Sequence, residues 1–274
     1  MIHANYHSHL VYCNHAKGHA EDYIEVALEH NFKELGISDH APLLPCFMSS
    51  AEFERFGKSY RTMTLDTALR KYLPEVEEAK KKYAGQIKIL SAFEIEYFST
   101  SEFFSRYLRK KVDYLNLGVH MFEYKNQILN SYSQINYETI YAYMKAAIDG
   151  MKTGLYNTLV HPDLFMYAYK DENQERKFDE HCTYVSRKII ETAIECDVYL
   201  ELNANGINNS RFSPDWLYPC REFWELVKEY PKVKIIIGAD AHDPKTLVCD
   251  YIRQAEEFAK ELGLKIEDTM EVIH

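Results

Sequence analysis

Seven short apolar runs rich in β-branched residues, at 3–9, 33–38, 87–93, 113–119, 157–161, 197–203 and 233–238, alternate with segments of helical period. That alternation constrains the fold more than any other feature of the chain. A parallel strand pair needs a long crossover, and a helix is the usual one, so strand–helix repetition predicts a parallel sheet covered by helices. The helical segments include E-D-Y-I-E-V-A-L-E-H-N-F, T-A-L-R-K-Y-L-P-E-V-E-E-A-K-K-K-Y, S-E-F-F-S-R-Y-L-R-K-K and Y-E-T-I-Y-A-Y-M-K-A-A-I-D, with three more near 176–196, 215–230 and 245–262. Pro74 must kink the second of them or mark the first turn of a shorter helix, because proline has no N–H to donate. No Ser/Gly/Pro-rich linker, low-complexity tract or short repeat divides the 274 residues, so a single domain over 1–274 is expected, with its longest irregular insertion at about 41–63. Seven βα units can close into a barrel or lie open. The open nucleotide-binding sheet wants a glycine-rich turn after an early strand, and neither GxGxxG nor GxxxxGK[ST] occurs. A closed α/β barrel is the expected class.

The residues that close each run favour closure further. Run one ends Y-H-S-H (His7, His9), run two G-I-S-D-H (Asp39, His40) and run three F-E-I-E (Glu94, Glu96). Runs four and five end in His120 and His161, run six in L-E-L-N (Glu201, Asn203) and run seven in G-A-D-A-H (Asp240, His242). In a parallel barrel all these carboxyl ends gather on one face, where active sites are built. Side chains at i and i+2 of a strand point the same way, so His7 and His9 can grip one ion. Imidazoles and carboxylates without an organised thiolate set suit zinc, manganese or iron rather than a structural cysteine site. Nine or so donors exceed one four-coordinate ion and suffice for two or three divalent ions with a bridging carboxylate. Glu96 and Glu201 are expected to support the ligands from behind. His19, near a helix start, can serve either the site or the helix. His3, His30, His181 and His274 lie away from the strand tips and are expected at the surface or in packing.

Asp and Glu outnumber Lys and Arg by 42 − 32 = 10, which argues against a nucleic-acid partner, since that needs a basic footprint. An anionic small substrate stays open, because bound cations reverse the local field. No run of 18 apolar residues and no basic-plus-apolar leader is present, so neither a membrane span nor secretion is expected. The six scattered cysteines, without a CxxC pair, read as reduced thiols of a cytoplasmic protein. Oligomeric state is not legible.

In order along the chain, H-S-H, C-N-H-A, S-D-H-A-P, F-E-I-E-Y, L-G-V-H, L-V-H-P-D and G-A-D-A-H-D-P resemble the motifs of the polymerase and histidinol phosphatase (PHP) superfamily, and within it the stand-alone histidinol-phosphate phosphatases. The resemblance runs through most of the chain. It implies a distorted (β/α)7, TIM-like barrel with a trinuclear metal site at the C-terminal face. It also implies that His7, His9, Glu94 and Asp240 hold the first ion, that Glu94 bridges to a second completed by His120 and His161, and that His15, His40 and His242 surround the third. His15 rather than His19, and Glu94 rather than Glu96, match the motif positions.

The chemistry implied is metal-dependent hydrolysis of a small phosphate monoester, histidinol phosphate to histidinol, with Glu94, Asp240 and His242 as the catalytic set. A hydroxide shared by two ions would attack phosphorus without a phosphoenzyme. Arg211, Lys125 and Glu123 are the candidate substrate-binding residues, and Asp163, Asp243 and the aromatic run 164–169 are further candidates for the leaving group. This chain departs from the histidinol phosphatases in one loop: it carries G-I-N-N where they often place an arginine. Other substrates (a nucleotide, a sugar phosphate, a phosphotyrosyl peptide) share the metal set and fold, since function lives in the surrounding loops. A metal-stabilised module without activity is the alternative of a different class.

Overall fold

A computed structural model of the protein describes residues 2–59, 62–213 and 215–272; His274 lies outside them. Seven parallel strands form one sheet in the order β1 (Ala4–Asn5), β2 (Glu34–Ile37), β3 (Lys88–Glu96), β4 (Tyr114–Gly118), β7 (Thr158–Leu159), β8 (Tyr199–Asn203) and β9 (Ile235–Gly238). The two missing numbers are an antiparallel hairpin, β5 (Met121–Tyr124) with β6 (Gln127–Asn130). Every neighbouring pair in the main sheet is parallel, for example Glu94 opposite Asn116 and Glu201 opposite Ile236. The sheet nearly closes. Beyond the short β1, Ser8 bridges to Ala241, His9 N–H donates to the Ala241 carbonyl at 2.8 Å, and the Asn5 side-chain oxygen accepts the Ala239 N–H at 2.8 Å. A side chain thus fills a place where the ladder between first and last strands is missing. This is the expected single-domain barrel, distorted at its seam.

Helices α1 (Ala20–Glu29), α2 (Ser50–Ser59), α3 (Leu65–Thr67), α4 (Leu73–Lys82), α5 (Glu102–Arg109), α6 (Ile140–Lys152), α7 (Glu180–Glu195), α8 (Ala204–Asn209), α9 (Arg221–Lys228) and α10 (Asp250–Leu262) occupy the crossovers and loops. Each long helix turns an apolar stripe to the sheet; in α7 Cys182, Val185, Ile189, Ile190 and Ala193 recur at three- and four-residue spacing and are all buried. Pro74 sits in the first turn of α4, where its missing N–H costs no bond inside that helix, and the preceding 68–72 segment widens to a π-helix, the Leu73 N–H reaching the Ala68 carbonyl. The 41–63 stretch corrects the expectation of an irregular insertion: after a 3-10 turn at 45–47 it forms α2. Ser49 and Glu52 cap α2 reciprocally, the Glu52 carboxylate taking the Ser49 N–H at 2.9 Å and the Ser49 hydroxyl the Glu52 N–H at 3.3 Å.

Two apolar layers follow from closure. The larger core lies between sheet and helices; a smaller one fills the barrel with Ala4, Tyr6, Leu90, Ala92, Tyr114, Tyr199, Ile236 and Met270. Met270 comes from the C-terminal segment and its N–H donates to the Tyr6 hydroxyl at 2.8 Å, so the amino-terminal mouth is plugged. The other mouth is left for polar side chains. Gly238 shows how tightly they pack, because a Cβ there would stand 2.2 Å from Glu201 Oε2. Gly238→Ala is therefore expected to lose about 1–3 kcal/mol of stability, as overpacked cores do. A urea midpoint matching the parent protein's would show the neighbourhood to be looser than this.

Candidate functional site

Glu94 is the centre of the polar mouth. It lies near the end of β3, paired across to His40 on one side and Asn116 on the other, and is 2% exposed. Its two oxygens face different groups. Oε1 lies 3.0 Å from His161 Nε2 and 3.3 Å from His120 Nε2. Oε2 lies 2.9 Å from His40 Nδ1, 3.4 Å from His7 Nε2 and 3.6 Å from His9 Nε2. Asp240 Oδ1 completes the second group, 3.0 Å from His9 Nε2 and 3.5 Å from His7 Nε2. Two donor sets within 4.8 Å follow directly, His7–His9–Asp240 and Glu94–His120–His161, and a third is His9–His40–His242. His15 reaches the third from the loop after β1, its Nε2 3.1 Å from His242 Nε2. The residues expected at the metals, His7, His9, His15, His40, Glu94, His120, His161, Asp240 and His242, are thus brought to one mouth, although His9 touches three sets, the last with buried Cys13 and Asp39.

His19 does not join them. It caps α1, gives Nδ1 to Glu75 at 3.0 Å, and its side chain is 59% exposed. His3 is exposed, His30 is part-buried at the end of α1, and His181 pairs with the Tyr141 hydroxyl.

The backbone bends to present the ligands. His161 and Asp240, each just past its strand, have φ of +35° and +46°, a region that costs a residue with a Cβ on the order of 1–2 kcal/mol. Behind the donors stand acceptors that fix their tautomers. His7 Nδ1 donates to Glu201 at 2.8 Å and His120 Nδ1 to Glu96 at 2.6 Å, leaving each Nε2 lone pair for the mouth. Glu201→Gln removes the charge behind His7 while keeping its shape, and ion affinity is expected to fall about 10–100-fold. Titration with a metal-sensitive competitor checks this, and unchanged affinity would dismiss Glu201 as an orienting group.

The fit of these residues to ions can be judged on the donors alone. His7 Nε2 and Glu94 Oε2 are fully buried, face each other, and have no hydrogen-bond partner; the short approach of His40 Nδ1 to Glu94 lacks the alignment of one. Buried polar atoms are rarely left so, and cations would satisfy them. Burial would raise the Glu94 carboxyl, but His120, His7 and His40 outweigh it and hold it well below the carboxylate range; Asp240 is held down in the same way by His7 and His9. Burial pushes His242 down to about 3, and burial with neighbouring His40 and His242 takes His15 down to about 4. Neutral imidazoles and ionised carboxylates are the states in which these groups bind metal. His7 and His120 are the exceptions. Burial lowers both, yet Glu201, Asp240 and Glu94 raise His7 well above its ordinary value, and Glu94 with Glu96 raises His120 to about 9.

The residues expected to bind substrate are placed otherwise. Glu123 is exposed on β5 and takes both the N–H and the hydroxyl of Ser99. Lys125 stands at the hairpin turn over the Tyr124 ring and lines, with Glu123, a cavity of about 480 Å³ to which no metal donor contributes. Arg211 is exposed and bonds Asn208. Asp163 is buried as a tie for Cys220 N–H and Trp224 Nε1, and Asp243 pairs with Lys17. Of the aromatic run, Tyr167 alone among its three rings is part-exposed, and it meets Tyr132 edge-on at 5.1 Å. Tyr132 in turn lies parallel to His120 at 6.0 Å, and Tyr218 approaches His161. These two tyrosines were not anticipated, because nothing in their local sequence marks them.

Comparison with known proteins bears on the same residues. The family model of the PHP domain matches residues 5–205. The histidinol-phosphatase of Bacillus subtilis (strain 168) is 22% identical over 263 residues, covering 86% of this chain and 92% of its own. Among solved structures, one assigned as the histidinol phosphatase HisK of Listeria monocytogenes matches with TM-score 0.71 at 22% identity, over 90% of this chain and 98% of its own. The histidinol phosphate phosphatase of Lactococcus lactis, solved with zinc, L-histidinol and phosphate, matches with TM-score 0.69 at 16% identity, over 96% and 94%.

Proposed function

The chain belongs to the PHP domain family, and on that premise we propose that it is a metal-dependent phosphatase hydrolysing a small phosphate monoester, histidinol phosphate being the substrate for which its relatives are named. The observation that carries the reading is the division of labour at Glu94, one oxygen toward His120 and His161 and the other toward His7, His9 and His40. A carboxylate so placed suits a bridge between ions. The donors fit two or three divalent cations, zinc, manganese or iron: His7, His9, Glu94 and Asp240; Glu94, His120 and His161; and His15, His40 and His242. Ions held there would supply positive charge for the phosphoryl oxygens and a nucleophilic hydroxide near neutral pH.

The remaining work falls to the chain. Glu201 and Glu96 keep the His7 and His120 tautomers in the ligand form, and we assign Asp240, Glu94 and His242 as the catalytic set that would hold the ions acting on the phosphate. The burial of His7, His9, Glu94 and His161, none more than 2% exposed, keeps bulk water from these donors and strengthens each charge interaction there, whereas His15 is open to solvent. Among the described residues no helix is long and apolar enough to cross a membrane.

Substrate profiling tests the reading. The kcat/KM for histidinol phosphate is expected to exceed those for nucleoside monophosphates and phosphotyrosine by at least about two orders of magnitude, a margin that a site built to hydrogen-bond its substrate can reach. Equal values would demote histidinol phosphate while leaving a phosphatase, whereas bound ions with no ester hydrolysed would favour a structural metal module.

A further inference from the structure

We infer that Asn205 is a positioning residue for Asp240, the near end of a side-chain relay Arg211–Asn208–Asn205 that aims one carboxylate oxygen at the metals. It rests on the reading of Asp240 as an ion ligand. The two oxygens of Asp240 are used differently. Oδ1 faces His9, His7 and His242 at 3.0, 3.5 and 3.4 Å. Oδ2 turns away and accepts from Asn205 Nδ2 and Asn203 Nδ2, both at 3.3 Å. Asn203 divides its amide, one Nδ2 hydrogen giving the shorter bond, 2.6 Å, to Glu201 and the other the 3.3 Å bond to Asp240, while its Oδ1 caps α8. Asn205 gives its amide N–H to Asp240 alone among the described residues, so Asp240 Oδ2 is held by two amides, and only the Asn205 one continues outward.

The direction of the relay is fixed by chemistry. A carboxylate only accepts, so the Asn205 amide must present nitrogen to Asp240 and oxygen outward. That oxygen accepts from Asn208 Nδ2 at 3.1 Å. Asn208 Oδ1 then accepts from Arg211 Nη1 at 2.6 Å, a guanidinium that cannot reverse the polarity. Each amide therefore carries its donor inward and its acceptor outward, and a permanent cation terminates the chain. Bonds aligned in this way polarise one another. The spacing is helical: 205, 208 and 211 fall one per turn on one face of α8 and its exit, so the pattern N-x-x-N-x-x-R builds the relay. Asp240 also sits at φ +46°, a backbone conformation that persists only where the surroundings hold it, and the bonds to its Oδ2 are among those holds. The neighbouring loop thus sets the ligand's aim, and this gives the G-I-N-N sequence a purpose of its own.

The test reads ion retention rather than turnover. Asn205→Ala, Asn205→Asp, Asn208→Ala, the double variant Asn205→Ala/Asn208→Ala and Asp240→Ala are dialysed against graded chelator and their zinc, manganese and iron measured. The melting temperature of each metal-free protein serves as the folding control. Asn205→Ala should lose about tenfold or more in affinity for one ion, the scale seen when a ligand's orienting partner is removed. Asn205→Asp keeps the volume but turns a donor into an acceptor, so the relay predicts a loss at least as large. A packing role predicts a milder one. Asn208→Ala should lose less, and should add nothing in the Asn205→Ala background. Retention by Asn205→Ala within twofold of the parent, a milder Asn205→Asp, or additive losses would each overturn the inference. Should Asn205→Ala fail to fold, Asn205→Asp and Asn208→Ala decide the matter by the same criteria. Asp240→Ala separates the two levels: full ion retention there would refute Asp240 as a ligand, and with it the premise.

Discussion

Glu94→Gln is expected to lower kcat by at least about 10³-fold, the upper range for removing one electrostatic stabiliser. The substitution keeps the volume of a residue that is 2% exposed, so packing should survive. It removes the negative charge that the surrounding histidines hold ionised and replaces one carboxylate oxygen with an amide nitrogen that cannot bind a cation. Because Oε1 and Oε2 face different donor sets, both sets are damaged together, and at least one ion should be lost. Glu94→Ala should be worse, since it leaves the His40, His120 and His161 nitrogens facing a gap. His19→Ala is the matched control. Its side chain lies outside the donor cluster on Glu75, so activity within about twofold of the parent is expected, in keeping with the small effect of exposed substitutions. Steady-state rates with metal analysis on the same samples decide both, and a near-parental Glu94→Ala enzyme would break the assignment.

Removing the ions should cost both activity and stability. An ion bound at 1,000 times its dissociation constant stabilises the fold by about 4 kcal/mol. For a chain of this size that corresponds to a melting temperature lower by on the order of 10 °C in the stripped protein. Activity should vanish with chelation and return with zinc, manganese or iron. The dependence on pH has a definite sign. In the metal-free fold His120 is raised to about 9 and His7 well above its ordinary value, so both carry protons at neutral pH. Refilling must displace them, so affinity should rise with pH up to about 9, by up to tenfold per unit for each proton released. Calorimetric titration in buffers of different ionisation enthalpy would count those protons. Binding that is independent of pH from 6 to 9 would contradict the assignment of His7 and His120 as ligands.

Much of this was legible in the chain, for reasons that particular residues make plain. Strand edges fell within a few residues of their expected places because β-branched runs and helical stripes have different periods, and the donors stood out because seven run ends carried them. The misreadings have local causes. Lys125 and Glu123 follow His120 closely in sequence, but Lys125 and Asn126, with φ of 47° and 63°, turn the chain into a hairpin that leaves both residues exposed. Its signal was present as a polar pair between two short apolar runs. The Ser49–Glu52 capping box likewise announced α2 within a stretch read as irregular. Tyr132, Tyr218 and Asn205 gave no such warning. Their place at the site depends on which loops the barrel brings together, and no local pattern encodes that.

The most direct measurement is anomalous diffraction from crystals of the metal-loaded protein, collected at the absorption edges of zinc, manganese and iron. Peaks on both sides of the Glu94 carboxylate, one toward His120 and His161 and one toward His7, His9 and Asp240, are the predicted result. Peaks confined to other surfaces of the molecule, or a lone peak that Glu94 does not touch, would contradict it.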